Sequence, residues 1–324
     1  MKRSMEPTIN ILKSKMWTWK FALVSAIIIF VFAFAITFAY MMLRCKLEHF
    51  LSKQQQHKDD EELPEIYCIM VTGKDACRGP FALRSVDNFI EQDYPRKQLV
   101  ILNHSPSYQV MTQQPNNTAN NIHEFMIDKI KNKMTLGDLR NIGLAMVPPG
   151  AIWTTWDDDD YRQTNYLSIM QHEMERTNAD VLAFTERTEY NANTGLVWRM
   201  SLKSGFSLIF SKQDMRVLYE RENTMEDINI IKSCRALGKQ VVIYENNPEI
   251  YVRVVHGNNT SLFVEKIKEK TRSHNKEGGK DNEILNYTEH PVNQEYATSV
   301  RGFMSTYFKN GIECYHNNKN QATK

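Results

Sequence analysis

Chemistry in this chain is concentrated in four consecutive carboxylates, Asp157, Asp158, Asp159 and Asp160. They follow the apolar run Ala151-Ile152-Trp153-Thr154-Thr155-Trp156, which has the composition of a buried strand. The acids are therefore expected at that strand's C-terminal end, the place where open α/β sheets bind ligands. Adjacent negative charges repel one another, so a neutralising cation is expected beside them. Hard oxygen donors select Mg2+ or Mn2+, ions that such sites commonly share with substrate phosphates. A solvated acidic loop is the plain alternative.

The elements that must position these acids can be read on either side of them. Ile66 to Thr72 has strand character and is broken at Gly73. Ala82, Leu83, Val86, Phe89 and Ile90 then share one face at helical spacing, and Tyr94-Pro95 ends that helix. Gln98 to Asn103 is a second strand. Strand, helix and strand in this order form a βαβ unit, which implies a parallel sheet. Residues 105–121 are loop-like, and 122–133 read as a short helix or strand. Thr135-Leu136-Gly137-Asp138 is close to a capping box and opens a helix running to Val147, with Leu139, Ile142, Gly143 and Met146 on its buried face. Arg140 and Asn141 lie beside that face. Pro148-Pro149-Gly150 then turns the chain into the strand that carries the acids.

Downstream, residues 162–177 read as a helix and 180–185 as a strand. A hairpin is centred on Asn191 to Gly195, and Gly205 permits a close backbone approach. A helix from Met225 to Leu237 has Glu226 and Asp227 in its first turn, where the helix dipole favours acids. Strands at 240–244 and 250–255 lead into His256-Gly257-Asn258-Asn259-Thr260. Beyond 262 the chain is polar.

The chain's 324 residues carry a formal net charge of +2, which gives no reason to expect a nucleic-acid partner. Its five cysteines are widely spaced without a C-x-x-C, so neither a dense disulfide framework nor a zinc site is expected. One or two bridges stay possible, with no pairing readable. Residues 21–43 contain no charged side chain and are long enough to span a bilayer. The basic residues before that span favour a cytosolic N-terminus, with the body in the ER or Golgi lumen or outside the cell. Sequons at Asn103, Asn116, Asn258, Asn259 and Asn286 agree with that side. The expected organisation is a tail over 1–20, an anchor over 21–43, a stem over 44–63, a folded domain over 64–262, and an extension over 263–324 of peripheral helices or disorder.

The order of these pieces resembles family-two glycosyltransferases over residues 66–262. Val71-Thr72 and then Asp93-Tyr94-Pro95 with Leu99 to Leu102 are similar to that family's first βαβ. Leu139-Arg140-Asn141-Ile142-Gly143-Leu144 followed by Trp156 and the acids is similar to its Arg-Asn-x-Gly segment and D-x-D motif. Glu226-Asp227 resembles its Glu-Asp pair, and His256 to Thr260 a late His-Gly-x-Asn-Thr motif. The resemblance implies a GT-A-like fold, a Rossmann-like mixed α/β sheet flanked by helices. It implies a nucleotide-sugar donor, Mn2+ or Mg2+, and a glycan, glycoprotein or glycolipid acceptor. Thr72, Asn103, Arg140, Asp157 and Asp158 would meet the nucleotide or orient its site. Asp157, Asp159 and His256 would hold the metal. Asp227 would be the general base and Glu226 its substitute. Each has a structural alternative: an ion pair for Arg140, helix capping for Glu226 and Asp227, and packing for His256.

The sequence departs from the family at Asn103-His104, where an acidic residue commonly ends the second strand. An Asn still offers a donor and an acceptor to a base edge. Two other functions fit the same residues: a non-catalytic module that binds a sugar-nucleotide or carbohydrate, and a metal-dependent nucleotidyl- or phosphotransferase. The second lacks a Gly-rich phosphate loop.

Overall fold

The computed structural model describes residues 38, 40–50, 63–73, 77–113, 121–128, 133–202, 209–223, 226–245, 248–256 and 287–314, without the side chains of 202, 209, 226–228, 248 and 287–289. The chain divides into two units, residues 1–63 and 64–324. In the first, residues 40–50 are helical and exposed, with Arg44 Nε donating to Glu48 Oε1 one turn on at 2.8 Å. Most of the expected anchor at 21–43 lies outside the described residues. Among those that are described, no helix is long and apolar enough to cross a membrane.

The second unit is a mixed α/β fold. Strands β1 (Ile66–Thr72), β2 (Lys97–Asn103), β3 (Ile122–Met126), β4 (Ile152–Thr155), β6 (Val181–Phe184), β9 (Ile209–Lys212) and β10 (Val241–Tyr244) form one sheet in the order β10-β6-β9-β4-β1-β2-β3. All neighbours are parallel except β9, which runs antiparallel to both β4 and β6. Every residue of β4 is buried, as a parallel strand covered on both faces must be. A second sheet has the order β12-β8-β7-β11-β5, from β5 (Tyr161–Arg162), β7 (Glu186–Asn191), β8 (Val197–Leu202), β11 (Tyr251–Val255) and β12 (Tyr287–Pro291).

Helix α1 (Arg78–Ile90) joins β1 to β2, and α2 (Leu136–Leu144) precedes β4. The helices α3 (Tyr166–Thr177), α4 (Glu226–Ala236) and α5 (Gln294–Tyr307) complete the unit. The capping box expected at α2 is present: the Thr135 hydroxyl accepts from Asp138 N, and the Asp138 carboxylate accepts from Thr135 N. Trp153, Ile69, Val217, Tyr219, Ile230 and Ile231 form a core on one side of the first sheet. α2 presses against β1 through Gly143, where an added Cβ would stand 2.4 Å from Ile69 Cγ2. Gly143→Ala is therefore expected to cost about 1–3 kcal/mol, read as a lower denaturation midpoint; an unchanged midpoint would show that α2 can shift outward freely.

Three readings differ from the structure. Ile90, expected on the buried face of α1, is half exposed. Arg162, expected to open a helix, does not; with Tyr161 it forms β5, paired antiparallel with Tyr251 and Val252. The C-terminal residues also belong to the fold, since β12 pairs with β8 and Val300, Met304 and Phe308 pack with Phe81 of α1. A disulfide joins Cys77 to Cys314, with Cα atoms 5.5 Å apart. The apolar positions on α5 that make this packing are too sparse in a polar tail to stand out as a helix face.

Candidate active site

The acids occupy the link between the two sheets, after β4 of the first and before β5 of the second. Their expected place at the strand's C-terminal end is correct. Thr72 ends β1 and Asn103 ends β2, directly opposite each other in the parallel register, so both stand on the same sheet edge. Trp156 fixes the start of the acid segment, donating its backbone N–H to Ile69 O at 2.9 Å and its indole N–H to Ser85 O at 3.2 Å.

The four carboxylates are not equivalent. Asp157 is partly open, its side chain 36% exposed, and its Oδ1 accepts from Arg140 Nη2 at 3.2 Å. Asp158, Asp159 and Asp160 are buried. Asp158 accepts from Thr72 Oγ1 at 2.7 Å and from Arg78 Nη1 at 2.6 Å. The same Arg78 Nη1 stands 2.6 Å from Asp159 Oδ2, and His256 Nε2 is 2.9 Å from that oxygen. Asp160 accepts from Val254 N at 3.1 Å and from the Tyr251 hydroxyl. The acid segment thus clamps β1, α1 and β11 together.

Their electrostatics differ accordingly. Burial pushes Asp158 up to about 7, with the charge of Asp159 adding to it against the opposing pull of Arg78. Burial also works to raise Asp159, but Arg78 and His256 outweigh it and hold this carboxyl below the ordinary range. Asp160 is pushed up to about 7 by burial and by the charges of Asp159 and Asp157. Asp159 is thus the firmly ionised member of the buried three.

Behind Asp160 lies Arg162, fully buried. Its guanidinium carbon is 4.2 Å from the Trp156 ring centre, 5.2 Å from that of Tyr251 and 5.8 Å from that of Tyr166, a cation–π cage. Farther along β7 and β11, Glu189 is buried between Arg187 and Arg253, at 2.7 Å and 3.3 Å. Burial works to raise the Glu189 carboxyl, and the two guanidiniums outweigh it and depress it.

The Arg140-Asn141 pair divides its work. Arg140 faces Asp157 and lies 5.3 Å from the Tyr219 ring centre. Asn141 exchanges hydrogen bonds with the Tyr219 backbone, at 2.9 Å and 2.8 Å, and so ties down the segment that leads into α4. Glu226 and Asp227 open α4; their side chains lie outside the described residues.

Asn103 turns inward. Its amide donates to Tyr108 O at 2.9 Å and to Glu124 Oε1 at 2.7 Å, and its carbonyl accepts from Ser105 N at 2.8 Å. Glu124 also accepts from Val110 N and Met111 N, both at 2.9 Å. Asn103 therefore shapes the loop over the sheet edge, and Tyr108 closes that loop with its hydroxyl 2.9 Å from Thr72 Oγ1. Gly73, at φ +113°, allows the approach: an added Cβ would stand 2.3 Å from Ser105 N.

The expected metal donors are only partly assembled. Asp159 and His256 meet, but their shared oxygen also takes Arg78, and Asp157 turns to Arg140. Among the described residues no group of three or more His, Cys, Asp or Glu side chains is arranged to hold a metal ion. The geometry thus does not fit the donor set that the sequence suggests. Arg78 was not expected at all. It opens α1, and its partners lie 80 and 81 positions away.

The chain matches no protein-family model and no curated protein. Among solved structures it is similar to S. aureus TarS residues 1–349 in complex with UDP-GlcNAc, at 14% identity and TM-score 0.48 over 75% of this chain and 72% of that one. It is also similar to the same TarS fragment in complex with UDP, at 14% identity and TM-score 0.46 over 59% of this chain. In that match the chain spans 60% of the TarS fragment's length.

Proposed function

We propose that this chain transfers a sugar from a nucleotide-diphospho-sugar to an acceptor hydroxyl, on a GT-A-like fold. The observation that carries the reading is the sheet edge itself. Thr72, the loop after Asn103, Arg140 and Asp157 converge there, and Asp157 is the one acid of the quartet that is partly open. In an α/β sheet that edge is where a nucleotide is received.

In this reading Arg140 and Asp157 contact the nucleotide, with the carboxylate suited to ribose hydroxyls and the guanidinium to phosphate. Asp158, Asp159 and Asp160 hold the edge in shape from beneath. Asp227, with Glu226 as substitute, takes the proton of the acceptor hydroxyl as its oxygen attacks the anomeric carbon. A carbon–oxygen bond forms to the acceptor while the bond to the diphosphate breaks. Its electron pair leaves on the nucleoside diphosphate, and attack from the opposite face inverts the centre. The acceptor is a glycan, glycoprotein or glycolipid. Residues 21–43 anchor the chain with its body on the lumenal or extracellular side, a compartment in which the Cys77–Cys314 disulfide would persist.

Asp227→Asn separates the base from the binding site. It is expected to lower turnover by about 10²–10⁴-fold while leaving the affinity for nucleoside diphosphate and the melting temperature unchanged, measured by calorimetry alongside product release. Equal turnover in Asp227→Asn and Asp227→Ala and in the parent chain would remove Asp227 from the mechanism. Binding of a sugar-nucleotide with no turnover of any donor would support the non-catalytic module instead, and release of pyrophosphate a nucleotidyl transfer.

A further inference from the structure

We propose that Arg78 is the resident cation of the aspartate quartet, and that the chain handles its nucleotide-sugar without a divalent metal ion. The second half rests on the glycosyl-transfer reading; the first stands on the geometry alone.

The quartet's charge is met by the protein's own guanidiniums. Arg78 Nη1 lies 2.6 Å from Asp158 and 2.6 Å from Asp159, with all three side chains nearly inaccessible. Arg140 pairs with Asp157, and Arg162 and Arg253 act electrostatically on Asp160. Arg78 and Arg140 thus pair with three of the four carboxylates. Arg162 and Arg253, the latter also paired with Glu189, act on the fourth, so the field that calls for a cation is met in large part by the protein itself. A guanidinium keeps its charge at any pH at which the protein is folded.

The oxygens of the buried acids that face Arg78, His256 and β11 are engaged as well. Asp159 Oδ2 is shared by Arg78 and His256, and Asp160 is bound by Tyr251 and Val254 N. A Mg2+ or Mn2+ ion bonds at about 2.0–2.2 Å and prefers nearly octahedral oxygen ligands. To take Asp159 it would have to displace Arg78, or stand against it with two like charges sharing one oxygen. Arg78 is also held in place from its other side. The residue before it is Cys77, bridged to Cys314, and Phe81 one turn on packs against the tilted rings of His256 and Phe308, with ring centres at 4.8 Å and 5.2 Å. The arginine is thus built into the scaffold. Its work is to neutralise the buried acids, so that a negatively charged diphosphate can approach the edge above them.

The test uses the full chain, stripped with EDTA and desalted, with Mn2+ alone as the first probe. Calorimetry and the free-Mn2+ electron paramagnetic resonance signal are expected to show no stoichiometric site that depends on Asp159. Arg78→Lys keeps a charge and is expected to behave the same way, whereas Arg78→Ala is expected to gain a Mn2+ site. A stoichiometric Mn2+ site in the parent chain, weakened about tenfold or more by Asp159→Asn, would overturn the proposal. The second arm follows nucleoside-diphosphate release. Turnover of a donor is expected to be as fast in EDTA as in Mn2+, and a loss of about tenfold or more in EDTA would overturn the metal-free half. If no donor is turned over under either condition, the glycosyl-transfer reading fails by itself and the Mn2+ titration still decides the role of Arg78.

Discussion

Glu189→Ala is expected to destabilise the folded chain by about 3–5 kcal/mol, the cost typical of removing one partner from a buried ion pair. Glu189 is fully buried and accepts from Arg187 Nε and Nη2 at 3.0 Å and 2.7 Å and from Arg253 Nη1 at 3.3 Å. Its removal takes a shared charged partner from two guanidiniums on neighbouring strands of the second sheet, β7 and β11. Glu189→Gln keeps an acceptor without the charge and is expected to fall between the two. The pH dependence follows from the depressed carboxyl, whose ordinary value is 4.5. Its stabilisation is complete above that value and is lost as pH falls through the lower value of the folded state. The parent chain should therefore lose this part of its stability on acidification, and the Gln variant should lack it. Denaturant titrations at neutral and acid pH measure both. A loss below about 1 kcal/mol for Glu189→Ala would mean that water reaches this site, contrary to the full burial of Glu189.

Loss of the Cys77–Cys314 bridge is expected to cost about 2–5 kcal/mol, because the bridge closes a very long loop in the unfolded chain. The sequence separation of 237 residues puts the expected cost toward the upper part of that range. Cys314→Ser, or reduction of the parent chain, should lower the melting temperature and loosen the last helical turns from α1. That contact is otherwise made by Phe81 with Phe308 and by Arg84 Nε donating to Tyr307 O at 3.0 Å. Thiol titration in denaturant gives an independent reading, with three free cysteines before reduction and five after. Five reactive thiols in the unreduced chain would contradict the bridge.

Local features were the ones legible in sequence. The β1–α1–β2 order, the Thr135–Asp138 capping box and the acids at the end of β4 each depend on residues within one or two elements. The features that were not legible depend on distant partners. Arg162 reads as the start of the helix that follows, yet pairing with Tyr251 draws it into a strand. The acids called for a cation, and charge patterning has no means of showing that Arg78, about 80 positions upstream, supplies one. Asn103 reads in sequence as an amide that could meet a base edge, with no sign of the three hydrogen bonds it makes within the loop and to Glu124. The C-terminal tail read as peripheral because its apolar residues are few, though these few meet Phe81 beside the acid cluster.

The central claim is that this sheet edge turns over a nucleotide-sugar. Its most direct measurement is nucleoside-diphosphate release by the purified full chain across a broad panel of nucleotide-sugar donors. The account predicts release from at least one donor, accelerated by an acceptor and slowed by about 10²–10⁴-fold in Asp227→Asn. No release from any donor, with or without acceptor and with or without Mn2+, would contradict it.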